Sequence, residues 1–156
     1  MKNKKVLYLI IGLVVVVGIV LFVLASPKKV TCTNKSDQSK NGYVIETKEV
    51  IYPRGKNVSK VVINQTITSK DSKKLDSFEK QFKEDYASFD KKYGGYKYKV
   101  TKTKNKVVSD ITIDYTKLDM KKFTTDNEAM KKYTKKNKLT MDGAKEMYEA
   151  SGATCK

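Results

Sequence analysis

The sequence predicts an α+β fold: an N-terminal transmembrane helix, then an antiparallel sheet in the order βββ-α-ββ-α-α with one long amphipathic helix packed on a face. Three observations predict it. Twenty consecutive uncharged, mostly aliphatic residues fill positions 6–25. Downstream, apolar and polar residues alternate in several short runs, the period of a half-buried strand. Between those runs, positions 72–93 carry apolar residues three or four apart, the period of one helix stripe.

The apolar run defines the organisation. A helix of that length spans about 30 Å, the thickness of a bilayer hydrocarbon core. Lys2, Lys4 and Lys5 mark its near edge in a basic head, residues 1–5. A spacer, residues 26–30, contains Pro27, Lys28 and Lys29 and marks the far edge. The remaining residues, 31–156, form one extracytoplasmic α+β domain. Two readings of the segment stay open: an uncleaved single-pass anchor with a cytoplasmic N-terminus, or a signal peptide cut after Ala25 with secretion of the rest. Twenty apolar residues exceed the 7–15 or so of a signal peptide, which favours the anchor. Lysine counts on the two sides are nearly equal, so charge alone does not orient it.

Elements follow in order. Residues 30–35 and 42–53 read as strands joined by a polar stretch, with Tyr43, Ile45 and Ile51 on one face. Pro53-Arg54-Gly55-Lys56 is a turn. A third strand runs from 58 to 68, with Val61, Ile63 and Ile67 together. In the helix over 72–93 the stripe is Leu75, Phe78, Phe82, Tyr86, Phe89 and Tyr93. Asp71 or Ser72 caps its start and Gly94-Gly95 ends it. A hairpin turns at Lys104-Asn105, with Tyr96, Tyr98 and Val100 on one arm and Val107, Ser109, Ile111, Ile113 and Tyr115 on the other. Two helices close the chain. The first covers 126–135 with Met130 and Tyr133. The second starts after Thr140 as N-cap, buries Met141, Ala144, Met147 and Tyr148, and stops at Gly152.

Two cysteines, Cys32 and Cys155, bracket the domain. Thiols at the two extremities suit a disulfide clasp, which persists only in an oxidising compartment. The competing reading is two unrelated buried thiols in a cytosol-facing domain. The polar surroundings of Cys155 (Ser151, Gly152, Ala153, Thr154, Lys156) make a poor burial site for a lone thiol.

Composition excludes several chemistries. With no His, the chain has no Ser-His or Cys-His nucleophilic site and no imidazole metal centre. Two Cys are too few for a structural zinc site. Asp110 and Asp114 share a strand face about 13 Å apart, too far for one metal ion or a close carboxylate pair. Asp126, Asn127 and Glu128 are oxygen-rich but lack the spacing and Gly of a calcium loop. No catalytic residue, metal ligand set or cofactor is assigned, and the expected function is non-enzymatic. The sequons at Asn34, Asn57 and Asn64 would matter only in a eukaryotic host.

Charge is the positive feature. The net charge is +16, and setting aside the three head lysines leaves 30 basic against 17 acidic side chains, a net of +13. Lys97, Lys99, Lys102 and Lys104 interleave with Tyr96 and Tyr98, a pattern able to hold anions. Arg54 is the sole Arg, whereas base readers lean on bidentate Arg, so no specific nucleic acid is expected. The expected partners are the membrane through residues 6–25, an anionic lipid or cell-wall polymer, or a protein. The alternative is a small-molecule or enzymatic pocket between sheet and aromatic helix, lined by Phe78, Phe82, Phe89 and Tyr98.

The strand ITIDYTKLD at 111–119, the Tyr/Lys-rich strand and aromatic helix before it, and the ending LTMDGAKEMYEASGATCK at 139–156 resemble the YehR-like family of small bacterial lipoproteins. That family has no assigned activity, so the resemblance supplies no catalytic residues. It implies a location outside the cytoplasm. Its members are typically tethered by a lipidated cysteine. Here Val30 and Thr31 precede Cys32 in place of a lipobox, and an apolar segment stands where the lipid would be.

Overall fold

The computed structural model describes residues 28–156, so the expected membrane segment at 6–25 lies outside the described residues. None of the described helices is long and apolar enough to cross a membrane. The described chain is α+β. Its strands are β1 (Val30–Gln38), β2 (Tyr43–Arg54), β3 (Asn57–Ser69), β4 (Tyr96–Lys102), β5 (Lys106–Asp114), β6 (Thr134–Lys135), β7 (Lys138–Leu139) and β8 (Thr154–Cys155). Its helices are α1 (Ser72–Tyr93), α2 (Met120–Asp126) and α3 (Met141–Ala150), with short 3-10 turns at Ser39–Asn41 and Glu128–Tyr133.

Six strands form one sheet in the order β4-β5-β3-β2-β1-β8, while β6 and β7 form a separate two-residue hairpin. Every neighbouring pair in the large sheet is antiparallel. Register fixes the faces, because directly opposed residues project to the same side. One row reads Val30, Ile51, Val61, Ile113, Tyr96; the next reads Cys32, Glu49, Ile63, Ile111, Tyr98. These rows belong to the inner face, which the helices cover. Ile51 and Val61 are fully buried there, and a register irregularity at Tyr52/Pro53 bends β2 beyond them.

The inner face carries two hydrophobic clusters. Ile67, Leu75 and Val107 hold the first half of α1, with Phe78, Phe82 and Val100 packed around them. The larger cluster lies under the C-terminal elements and includes Ile51, Val61, Tyr133, Leu139 and Ala144. Asp71 caps α1 by accepting hydrogen bonds from the Lys73 and Lys74 amides, and Gly94 and Gly95 stop it at φ 71° and 79°. A Cβ on Gly95 would stand 2.7 Å from the Asp114 carbonyl oxygen, so only Gly lets α1 turn back against β5 here.

The expected helix over 126–135 is corrected. The α-helix there is α2, seven residues ending at Asp126, and Glu128–Tyr133 is a 3-10 turn that leads into the β6–β7 hairpin. Asp119 supplies the earlier start as N-cap, accepting from the Lys122 amide. The first strand also extends beyond position 35, to Gln38, since all nine residues pair with β2. The final helix begins after Thr140 as expected, with its hydroxyl accepting from the Gly143 amide at 3.0 Å.

Candidate binding surface

The opposite face of the sheet is built from the alternate residues of the same strands. Its rows read Thr31, Val50, Val62, Thr112, Lys97, then Thr33, Lys48, Asn64, Asp110, Lys99. None of the residues in these rows is buried. Threonine and valine dominate because β-branched side chains suit a pleated surface, and lysines stand among them.

Electrostatics on this outer face are one-sided. Its acids are locally engaged: Glu46 with Lys35 at 2.8 Å, Asp110 with the Asn64 amide at 2.7 Å, Asp114 with Thr116 and Lys117. The Glu46 carboxylate raises the pKa of Lys35, and hydrogen bonds from Thr116 lower that of Asp114. Lys48, Lys60, Lys97, Lys99 and Lys106 make no ion pair among the described residues, although Lys60 lies 4.4 Å over the Tyr52 ring. A shallow depression of about 350 Å³ crosses the strands beside Lys35, Lys48 and Asn64. The arrangement offers ammonium and hydroxyl donors on a flat, rigid sheet.

The four lysines singled out in the sequence do not act as one group. Lys97 and Lys99 stand on the outer face of the edge strand β4. Lys102 is in the inner phase and pairs with Asp76 of α1, which raises its pKa through that hydrogen bond. Lys104 is exposed in the β4–β5 turn. The acids at 126–128 are likewise spent nearby: Asp126 accepts from the Tyr93 hydroxyl at 3.0 Å and pairs with Lys92, and Glu128 pairs with Lys131. Among the described residues no group of three His, Cys, Asp or Glu could hold a metal ion.

The aromatic candidates line the seam between α1 and the sheet as a run of rings. Phe78 meets Tyr43 edge-on at 5.2 Å, Phe82 stacks on Tyr86 at 5.7 Å, and Tyr86 leans on Tyr98. Phe89 packs on Tyr96 at 5.8 Å. Phe89 and Tyr98 remain 41% and 38% exposed, so the seam is open along one side. Burial together with the neighbouring Tyr93 and Tyr86 hydroxyls pushes the Tyr96 pKa up to about 12.

Two features escaped the sequence reading. Glu49 lies on the inner face, 7% exposed, with Oε2 lacking a hydrogen-bond partner. Burial raises its pKa. Its position was legible, since 43, 45, 49 and 51 share one phase of the alternation. The second is a cleft of about 430 Å³ beside Arg54 and Lys138. The singular Arg was the available hint.

The expected clasp is present. Cys32 and Cys155 form a disulfide as direct cross-strand partners, Cα atoms 4.0 Å apart. Reciprocal amide–carbonyl bonds of 2.8 Å between Thr31 and Lys156 flank it. Cys32 is fully buried against the core.

Neither a protein-family model nor a curated protein sequence matches the chain. Solved structures do. The NMR structure of Escherichia coli YehR superposes with a TM-score of 0.55 at 19% identity, covering 82% of this chain and 91% of that one. The NMR structure of a protein from Streptococcus pneumoniae TIGR4 gives 0.50 at 18% identity, covering 83% and 86%. With that coverage on both sides, the described domain has a YehR-like fold.

Proposed function

We propose that the chain is a non-enzymatic, membrane-anchored extracytoplasmic module that holds an anionic envelope component through lysines of the outer sheet face. The observation carrying this reading is the charge imbalance of that face: Glu46 and Asp114 pair with Lys35 and Lys117 and Asp110 is held by the Asn64 amide, while five lysines on four adjacent strands carry no ionic partner among the described residues. The disulfide supports the location, because such bonds persist outside the reducing cytosol. The apolar run at 6–25 supplies the anchor. Each lysine near an anionic surface contributes about 1 kcal/mol at physiological ionic strength, so recognition is a sum of weak contacts on a pre-formed scaffold.

The test uses the full chain in phosphatidylcholine nanodiscs, presented with vesicles of phosphatidylglycerol and phosphatidylcholine or with a soluble polyglycerol phosphate. Binding to either anionic probe should fall steeply between about 50 and 500 mM salt as the screening length shrinks. Lys97→Gln with Lys99→Gln should weaken it about tenfold or more, at about 1 kcal/mol per lysine. Equal retention of pure phosphatidylcholine vesicles, or indifference to salt, would overturn the reading.

A further inference from the structure

We infer that the cleft between the β2–β3 turn, the segment after β5 and the β6–β7 hairpin is a binding site for a small amphipathic anion, one carboxylate or phosphate head on an apolar body. Its volume, about 430 Å³, falls within the range of small-molecule sites. The floor is apolar: Val58, Leu118, Met120 and Leu139 each keep less than a tenth of their surface exposed and belong to the main core or border it. Tyr115 adds an aromatic wall. The rim is cationic and amide-bearing, with Arg54, Lys138, Asn57 and Asn137. Among the described residues no carboxylate lines the cleft.

The head group follows from Arg54. It is the one Arg among 33 basic residues, and it makes no ion pair among the described residues. A guanidinium presents a planar fork that matches carboxylate or phosphate bidentately, which the lysines elsewhere cannot reproduce. The apolar body follows from the lining, where Val58, Tyr115, Leu118, Met120 and Leu139 make up half of the residues around the cleft. The walls are already in place. The Met141 amide donates to the Lys56 carbonyl at 3.0 Å and Asn57 bridges Thr140, fixing the hairpin region to the β2–β3 turn. The Tyr115 amide donates to the Ser59 carbonyl at 2.9 Å, fixing the third wall. A site so tied loses little freedom when it is filled. This inference does not rest on the outer-face reading, since the cleft and the lysine rows use different residues.

Calorimetric titration of the full chain in phosphatidylcholine nanodiscs, corrected against empty discs, tests it with four probes: octanoate, octyl phosphate, octanamide and inorganic phosphate. Saturable binding of octanoate or octyl phosphate is expected, and which of the two binds more tightly identifies the head group. Octanamide and inorganic phosphate should each bind at least tenfold more weakly. Arg54→Gln should weaken the anionic amphiphile tenfold or more, Arg54→Lys less, and Lys83→Gln, remote on α1, not at all. Both positions are exposed, so the variants should fold. Absence of saturable binding by both amphiphiles, equal binding of octanamide, equal binding of inorganic phosphate, or an unchanged Arg54→Gln variant would each overturn the assignment.

Discussion

Glu49 is a carboxyl group set where the strand phase calls for an apolar residue. Its neighbours across the sheet are Cys32 and Ile63, and the Tyr148 hydroxyl is close enough for its own ionisation to be suppressed by burial and by the Tyr115 and Glu49 charges. Burial disfavours the charged form, so the native state holds this proton more tightly than the unfolded chain does. Its contribution to stability is therefore complete below the unfolded carboxyl value, about 4.3, and is lost as pH rises through the raised native value. Asp37, Asp114, Asp126 and Glu128 run the opposite way, because their lowered values favour the native state at higher pH. The clean measurement is a difference between proteins at each pH. In urea denaturation, Glu49→Gln should match the parent near pH 4 and exceed it at pH 7, by about 1–3 kcal/mol, the scale of an unsatisfied buried polar group. An identical offset at both pH values would refute the assignment.

At the scale of elements, α3 shows how tightly a short helix is placed. Its cap is the Thr140 hydroxyl, and its third residue, Gly143, faces the Tyr133 carbonyl so closely that a Cβ would collide with that backbone oxygen. Thr140→Ala should cost about 1 kcal/mol through the lost cap. Gly143→Ala should cost more, about 2–3 kcal/mol, because the 3-10 turn must be displaced. Thermal or chemical denaturation of both variants checks the order. The same region explains where the sequence was readable. The six aromatic and aliphatic positions of α1 lie at unbroken helical spacing between a capping Asp71 and two glycines, so pattern and caps agree and the bounds emerge unaided. In β2, β3 and β5 strict alternation likewise reveals the inner face. Between Asp119 and Thr140 the pattern is broken by threonines and lysines. The two-residue strands there pair only with each other around Lys136 and Asn137, too short a run for alternation to show, and β8 exists only because the distant β1 pairs with it. For the site, alternation already separates Lys97 and Lys99 from Lys102, which shares the phase of Tyr96 and Tyr98. The cleft at Arg54 was not legible, since its three walls come from segments as far apart in sequence as Arg54 and Leu139.

For the molecule as a whole, the clasp sets the stability reserve. Cys32 and Cys155 are 123 residues apart in sequence, and in the chain-entropy account closing such a loop contributes about 5 kcal/mol. Alkylation of the unfolded chain without reductant should label neither thiol, and both should react after reduction. Cys155→Ser should lower unfolding free energy by about 2–5 kcal/mol, measured by denaturant titration. Full labelling without reductant would remove the clasp and with it the support for an oxidising location.

The adjacency of Thr31 to Lys156 also governs how the domain meets mechanical load. Tension applied across Val30 and Lys156 runs through two residues, a sulfur–sulfur bond and one more residue, and bypasses the residues between the two cysteines. Roughly 400 Å of extensible contour is thereby locked away, at about 3.4 Å per residue. In an optical trap the oxidised protein should show no unfolding step when held at those two points, and adding reductant should release one. The fold would then be insulated from any pull delivered through its two ends.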